Sequence, residues 1–311
     1  MAGHVTFIHG IANKPAAEDL LEIWRHALGE GGSEALRLGT QGVSSSLVYW
    51  ADVLYAAPDP DVAAHEGVDE RTPGAVDGGG EPPLPTPVSA ESRAFIESLR
   101  ARLTDLPDEM LDQEPSADPA AKGLERVPLP WFIKKRIMAA FLRDVHHYLF
   151  NVESRPRPNE VYLVQDEIRR RFVARLKATE GGRPHVVVSH SMGTVIAYDC
   201  LKRVADCPQI DALVTIGSPL GIDEIQDKLQ PEWTRDDGFP REKIAGGWVN
   251  VFDRLDVVCG LDPKLANDYE RGAKELIDDI EVTNDGAWRH SATKYYRQPT
   301  VRGALRRLLG L

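Results

Sequence analysis

Short apolar runs rich in β-branched side chains punctuate the chain at residues 5–8, 47–50, 186–188, 213–216 and 248–252, with a further one at 280–282. Runs this short and this continuously apolar predict strands buried on both faces, as in a parallel sheet. Between them, apolar residues recur at helical spacing over 16–28, 160–178, 192–204, 263–276 and 299–309. Strands alternating with helices predict an α/β protein: a mostly parallel sheet covered by helices on both faces.

One stretch breaks this rhythm. Residues 57–130 are dense in Pro, Gly and acidic side chains, including Gly78-Gly79-Gly80-Glu81-Pro82-Pro83-Leu84-Pro85, a composition poorly suited to building its own core. It reads as an insertion into a single domain spanning 1–311, with a short helix over 91–103. Residues 131–150 then place Ile133, Ile137, Phe141, Val145 and Leu149 at i, i+4 spacing, which predicts an amphipathic helix. Ordinary core packing, a cap or lid over a site, and contact with a membrane interface are three uses open to it, membrane contact being the least favoured.

The chain has 311 residues and a formal net charge of −11. That balance argues against nucleic acid as a partner, since phosphate binding draws on clustered Lys and Arg. Cys200, Cys207 and Cys259 form neither a CxxC pair nor an even set, so a reducing compartment without disulfides is expected and no metal site is predicted. The first residues run straight into a strand-like segment, and no apolar run reaches the length of a bilayer span. A cytoplasmic location, with no leader, is the resulting expectation.

Candidate chemistry centres on Val186-Val187-Val188-Ser189-His190-Ser191-Met192-Gly193, followed by a helical pattern. A strand, a tight turn bearing a serine and a helix make a nucleophile elbow, in which the residues two before and two after the serine must be small. Ser189 stands where the pattern usually has glycine. A serine hydroxyl needs a base, and the base needs a carboxylate to orient it. Of nine histidines only His290 lies beyond Ser191. For the acid, Asp256 lies past the strand at 248–252, whereas Asp253 sits nearer its end and reads as ordering the turn or pairing with Arg254. Asp262 and Asp268 are more distant alternatives. The turn Phe7-Ile8-His9-Gly10-Ile11 ends the first strand, so the backbone amide of Ile11, or of a close neighbour, and that of Met192 are candidate donors to an oxyanion. His190 flanks the serine and is expected to point away from it. Ser218, followed by Pro219, has no donor amide next to it and reads as structural or pocket-lining.

Together these residues resemble the α/β-hydrolase superfamily, in particular its lipase and esterase-like branch. The resemblance spans residues 4–56 and 160–311. It implies an α/β-hydrolase fold with an inserted cap or acidic loop region, Ser191 as nucleophile, Asp256 as acid, His290 as base, and the Ile11 and Met192 amides as the oxyanion hole. It implies no cofactor and a small-molecule or lipid-like acyl substrate. The expected activity is hydrolysis of a carboxylic ester through an acyl-enzyme. An amidase, thioesterase or acyltransferase would use the same groups, and a non-catalytic binding protein on a hydrolase fold is the reading from another class.

Overall fold

The computed structural model describes residues 3–61, 84–104, 131–179, 181–285 and 288–311. Six parallel strands form one sheet: β1 (His4–Ile8), β2 (Ser44–Val48), β5 (His185–His190), β6 (Ala212–Ile216), β7 (Trp248–Phe252) and β8 (Ile277–Glu281), in the order β2-β1-β5-β6-β7-β8. The short strands β3 (Glu153–Ser154) and β4 (Tyr162–Leu163) pair separately as an antiparallel hairpin. The helices are α1 (Ala17–Gly29), α2 (Ala90–Thr104), α3 (Trp131–Leu149), α4 (Val164–Ala178), α5 (Met192–Arg203), α6 (Asp223–Leu229), α7 (Ala292–Arg297) and α8 (Pro299–Leu309).

Register explains why the strands read as unbroken apolar runs. Leu47, Phe7, Val188, Val214 and Val249 lie side by side across five strands and face a core closed by Leu20 and Trp24 of α1, Tyr296 of α7 and Leu305 of α8. The neighbouring residue Val187 faces the opposite core with Ile168 and Phe172 of α4 and Val195 of α5. Each fully buried side chain of this size contributes about 1.5–3 kcal/mol of transfer free energy, so both faces require a helical layer.

The next row across the sheet, Ser189, Thr215, Asn250 and Asp279, is polar and internally satisfied. Ser189 donates to the Val214 carbonyl at 3.1 Å, Thr215 to Asn250 Oδ1 at 2.9 Å, and Asn250 Nδ2 to Asp279 Oδ1 at 2.7 Å. The hydroxyl of Ser189 thus ties β5 to β6.

The helical pattern at 263–276 does not form a helix. Asp279 takes the amides of Leu265 and Ala266 at 3.0–3.1 Å, and Gly272 and Ala273 adopt positive φ, which holds this stretch as turns. The first β2 residues lie earlier than the 47–50 run suggests, at Ser44. Within the acidic insertion, 62–83 and 105–130 lie outside the described residues. Its remaining part contains α2, which buries Ser92, Phe95, Ile96, Leu99 and Leu103 at helical spacing. Ion pairs join α2 to α6: Arg102 to Asp223 at 2.7 Å and Glu224 at 3.0 Å, and Lys228 to Glu91 at 2.7 Å. In α3, Phe141, Val145 and Leu149 are buried and belong to the same core as α4 and α5, while Ile133 and Ile137 lie outside the described side chains. No helix among the described residues is long and apolar enough to cross a membrane.

Two buried histidines away from the carboxyl ends of the strands set an acid limit on the fold. Burial, then the neighbouring His147, pushes His146 of α3 down to about 4, and burial, then His4, does the same to His185 of β5. An unfolded chain takes up these protons near pH 6.5, where the folded one does not. Their stabilising effect is therefore complete above that value and is lost as pH falls from 6.5 towards 4, on the order of 2 kcal/mol for each histidine after allowing for partial solvation. Urea unfolding at pH 7.5 and 4.5 measures this directly; equal unfolding free energies at the two pH values would contradict it.

Candidate functional site

The sheet order reverses between β1 and β5, since the chain passes from β1 outward to β2 and from β5 across to β8. A parallel sheet opens a crevice at the carboxyl ends of its strands where the order reverses. The turns after β1 and β5 meet there, and both carry the residues singled out in the sequence.

Ser191 lies between β5 and α5 with φ 55° and ψ −131°, a conformation that side-chain-bearing residues rarely adopt. Such backbone costs about 1–3 kcal/mol and persists only where surroundings enforce it. Here the Ser191 amide donates to the Ile216 carbonyl at 3.0 Å, and its carbonyl accepts from the Thr194 amide at 2.9 Å and hydroxyl at 2.6 Å. Glycine is required at two neighbours. A Cβ on Gly193 would stand 2.7 Å from the His9 carbonyl oxygen and 2.8 Å from that of Ile8, because α5 crosses the end of β1 in contact with it. A Cβ on Gly10 would stand 2.5 Å from the Ser191 Cβ. The His9-Gly10-Ile11 turn is therefore packed directly on the serine.

Asp256 and His290 come together from turns after β7 and β8. The His290 Nδ1 lies 2.8 Å from both carboxylate oxygens of Asp256, with His290 only 3% exposed and Asp256 fully buried. Since a carboxylate accepts, Nδ1 carries the proton and Nε2 carries the lone pair, which is the arrangement a general base needs. Asp256 also accepts from the Val258 amide at 2.9 Å and the Tyr295 hydroxyl at 2.7 Å. Burial by itself would raise its pKa, but the adjacent imidazole and these donors outweigh burial and hold the carboxyl below its ordinary value. Burial and the Asp256 charge push the Tyr295 hydroxyl well above the ordinary tyrosine value, so it remains a donor.

The residue next to the serine bonds the loop that carries the imidazole. His190 Nε2 donates to the His290 carbonyl at 2.8 Å, and the two rings lie 4.7 Å apart. His190 thus supports the His290 loop, a role that its position in the pentapeptide does not reveal. Ser191 Oγ and His290 Nε2 are both buried without a hydrogen-bond partner among the described residues, so the serine hydroxyl is not bonded to the imidazole in this conformation. Such bonds are often long until substrate is bound.

Asp253 orders its turn by accepting from the Leu255 amide at 2.8 Å. Its ion pair is with Arg289 at 3.1 Å, not with Arg254, which pairs instead with Glu281. Through Arg289 and the Asn284 amide, at 2.7 Å, Asp253 fastens the His290 loop to the end of β7. Ser218 caps the turn Pro219–Gly221 and meets the Thr194 hydroxyl at 2.8 Å. Among the described residues neither Asp262 nor Asp268 is bonded to His290; Asp268 accepts instead from Gln226 at 3.0 Å. The Ile11 and Met192 amides have no hydrogen-bond partner among the described residues. Cys200, Cys207 and Cys259 are buried free thiols, and among the described residues no group of three or more His, Cys, Asp or Glu side chains is arranged to hold a metal.

No protein-family model matches the chain. No curated protein matches it either. A solved structure of an uncharacterized protein from Pseudomonas aeruginosa is similar at 9% identity with a TM-score of 0.31, over 95% of this chain and 46% of the other. This chain thus spans about half the length of that protein, and a likeness at this level carries no argument about activity.

Proposed function

We propose that this protein is a serine hydrolase of the α/β-hydrolase fold that cleaves carboxylic esters through an acyl-enzyme on Ser191. The observation that carries the reading is the buried Asp256–His290 pair, whose Nε2 is left without a partner among the described residues, at the same end of the sheet as a buried serine held at positive φ. The strand order supports the fold: the elements after β1, β5, β7 and β8 bring, in turn, the His-Gly turn, the serine, the acid and the histidine to one end of the sheet.

In this mechanism His290 Nε2 accepts the Ser191 proton as Oγ attacks the ester carbonyl. The tetrahedral oxyanion is held by the amides of Ile11 and Met192, the latter at the N-terminus of α5, where the helix dipole adds to the field. Collapse expels the alcohol with the proton from His290, and water activated by the same imidazole releases the acid. Asp256 stays ionised throughout, fixing the tautomer and stabilising the imidazolium.

A fluorophosphonate probe tests this reading with the intact protein. Stoichiometric labelling that maps to the peptide carrying Ser191, with turnover of short-chain p-nitrophenyl esters, is the expected result. Absence of labelling in folded protein would instead place the chain among binding proteins.

A further inference from the structure

The candidate oxyanion turn is held by two side chains that lie outside the proposed triad, one of them on α3. Ala12 adopts φ 67°, unusual for a residue with a Cβ, and its amide donates to Asp144 Oδ2 at 2.8 Å. Asp144 is fully buried, and its other oxygen accepts from the Arg143 guanidinium at 2.7 and 2.9 Å. Arg143 in turn bonds the Tyr55 hydroxyl and lies over the Tyr55 ring at 4.8 Å.

On the other side of Ile11, the Gly10 carbonyl accepts from His9. The Trp50 amide donates to His9 Nε2 at 3.0 Å, so the proton of this neutral ring is on Nδ1, which donates to the Gly10 oxygen at 2.8 Å. The ring is itself stacked on Trp50 at 4.6 Å, and Trp50 Nε1 donates to the His9 carbonyl at 3.0 Å.

A trans peptide is planar, with its carbonyl and N–H directed oppositely. Fixing the Gly10 oxygen on His9 therefore fixes the direction of the Ile11 N–H, and fixing the Ala12 N–H on Asp144 fixes the direction of the Ile11 carbonyl. Both peptide planes flanking Ile11 are clamped, while the Ile11 amide itself has no partner among the described residues.

We infer that Asp144 and His9 are positioning residues that hold the Ile11 N–H as an oxyanion donor, so that α3 completes the site by bracing the turn after β1. The inference rests on the serine hydrolase reading above. Preorganised donors act because they need no reorientation as charge develops, and loss of one costs about a hundredfold to a thousandfold in rate; a donor left in place but free to turn costs less.

The test measures steady-state hydrolysis of a p-nitrophenyl ester and the rate of fluorophosphonate inactivation in wild type, Asp144→Ala, Asp144→Asn and His9→Phe. Asp144→Asn keeps an acceptor for the Ala12 amide, and His9→Phe keeps the stack on Trp50 while removing the donor to Gly10. The expected result is a fall of about tenfold to a hundredfold in kcat and in inactivation rate for Asp144→Ala and His9→Phe. KM should stay within about threefold and the pH of half-maximal activity should not move, because the imidazole and its acid are untouched. Asp144→Asn, whose single acceptor oxygen can serve either the Ala12 amide or Arg143, should fall between wild type and Asp144→Ala. If Asp144→Ala does not fold, His9→Phe gives the same reading from the other peptide plane. Unchanged kcat in His9→Phe, a shifted pH profile, or an Asp144→Asn as slow as Asp144→Ala would overturn the inference. A wild-type protein that is not labelled on Ser191 would overturn the hydrolase reading itself, before any variant is compared.

Discussion

Ser191→Ala should lose about 10⁶-fold in kcat on short acyl esters while its melting temperature stays within about 2 °C of wild type or rises. The two halves of this expectation come from the same feature. Ser191 is fully buried and its hydroxyl has no hydrogen-bond partner among the described residues. A buried hydroxyl without a partner costs free energy, about 1–3 kcal/mol, so replacing it by a methyl removes a penalty and leaves the backbone geometry accessible, since alanine has the same Cβ as serine. A serine held only for packing would show the opposite: unchanged turnover and reduced stability. Parallel thermal melts and ester assays distinguish the two, and undiminished turnover by the alanine variant would remove Ser191 from the mechanism.

The central strands β1, β5, β6 and β7 were legible because they are buried on both faces, so composition alone marks them, whereas the edge strands β2 and β8 are partly exposed and their bounds differ from the apolar runs at 47–50 and 280–282. The pentapeptide at Ser191 and the order serine, aspartate, histidine were legible for a similar reason: each depends on short segments and on chain order. Residues 263–276 misled because their apolar spacing suits a helix, while the decisive partner, Asp279, comes from β8 and takes the amides of Leu265 and Ala266. Arg254 misled in the same way, its neighbour in sequence being Asp253 and its partner in space Glu281.

The groups around Ser191 and the Asp256–His290 pair were invisible for a related reason. Tyr295 reaches Asp256 across 39 residues, Arg289 reaches Asp253 across 36, Asp144 reaches the Ala12 amide across 132, and His190 supports His290 across 100. None has a local signature, because a hydrogen bond over such separations depends on how the layers stack. A buried Asp next to an Arg, as at Arg143-Asp144, is the faint signal that a sequence offers: charged residues at core positions of an amphipathic helix must be paired. Here the pairing leads from α3 to the turn after β1, so α3 both packs in the core and bonds that turn.

Asp256→Asn should lower kcat by about 10⁴-fold with little loss of structure, and the hydrogen-bond inventory around the carboxylate gives the reason. Three donors converge on Asp256: the Nδ1–H of His290, the Val258 amide and the Tyr295 hydroxyl, the last held firmly protonated by burial and by the carboxylate charge. An ionised carboxylate has acceptor sites for all three, whereas an asparagine amide offers one acceptor oxygen and an NH₂ group that must itself donate. The Val258 amide can only donate, so the asparagine oxygen takes the place of Oδ1 and the NH₂ that of Oδ2, between the Tyr295 hydroxyl, which can turn to accept, and the imidazole; His290 must then present a lone pair at Nδ1 and move its proton to Nε2. The base is then protonated at the atom that should accept the serine proton, and nothing remains to stabilise an imidazolium. Asp253→Asn supplies the comparison, because Asp253 bonds Arg289 and backbone amides and has no contact with the ring. Its effect should pass through the placement of the His290 loop and be smaller, roughly tenfold to a hundredfold in kcat. Nitrogen NMR of the imidazole reads the cause directly, with the proton on Nδ1 in wild type and on Nε2 in Asp256→Asn; equal losses in the two variants with an unchanged tautomer would deny Asp256 the role of acid.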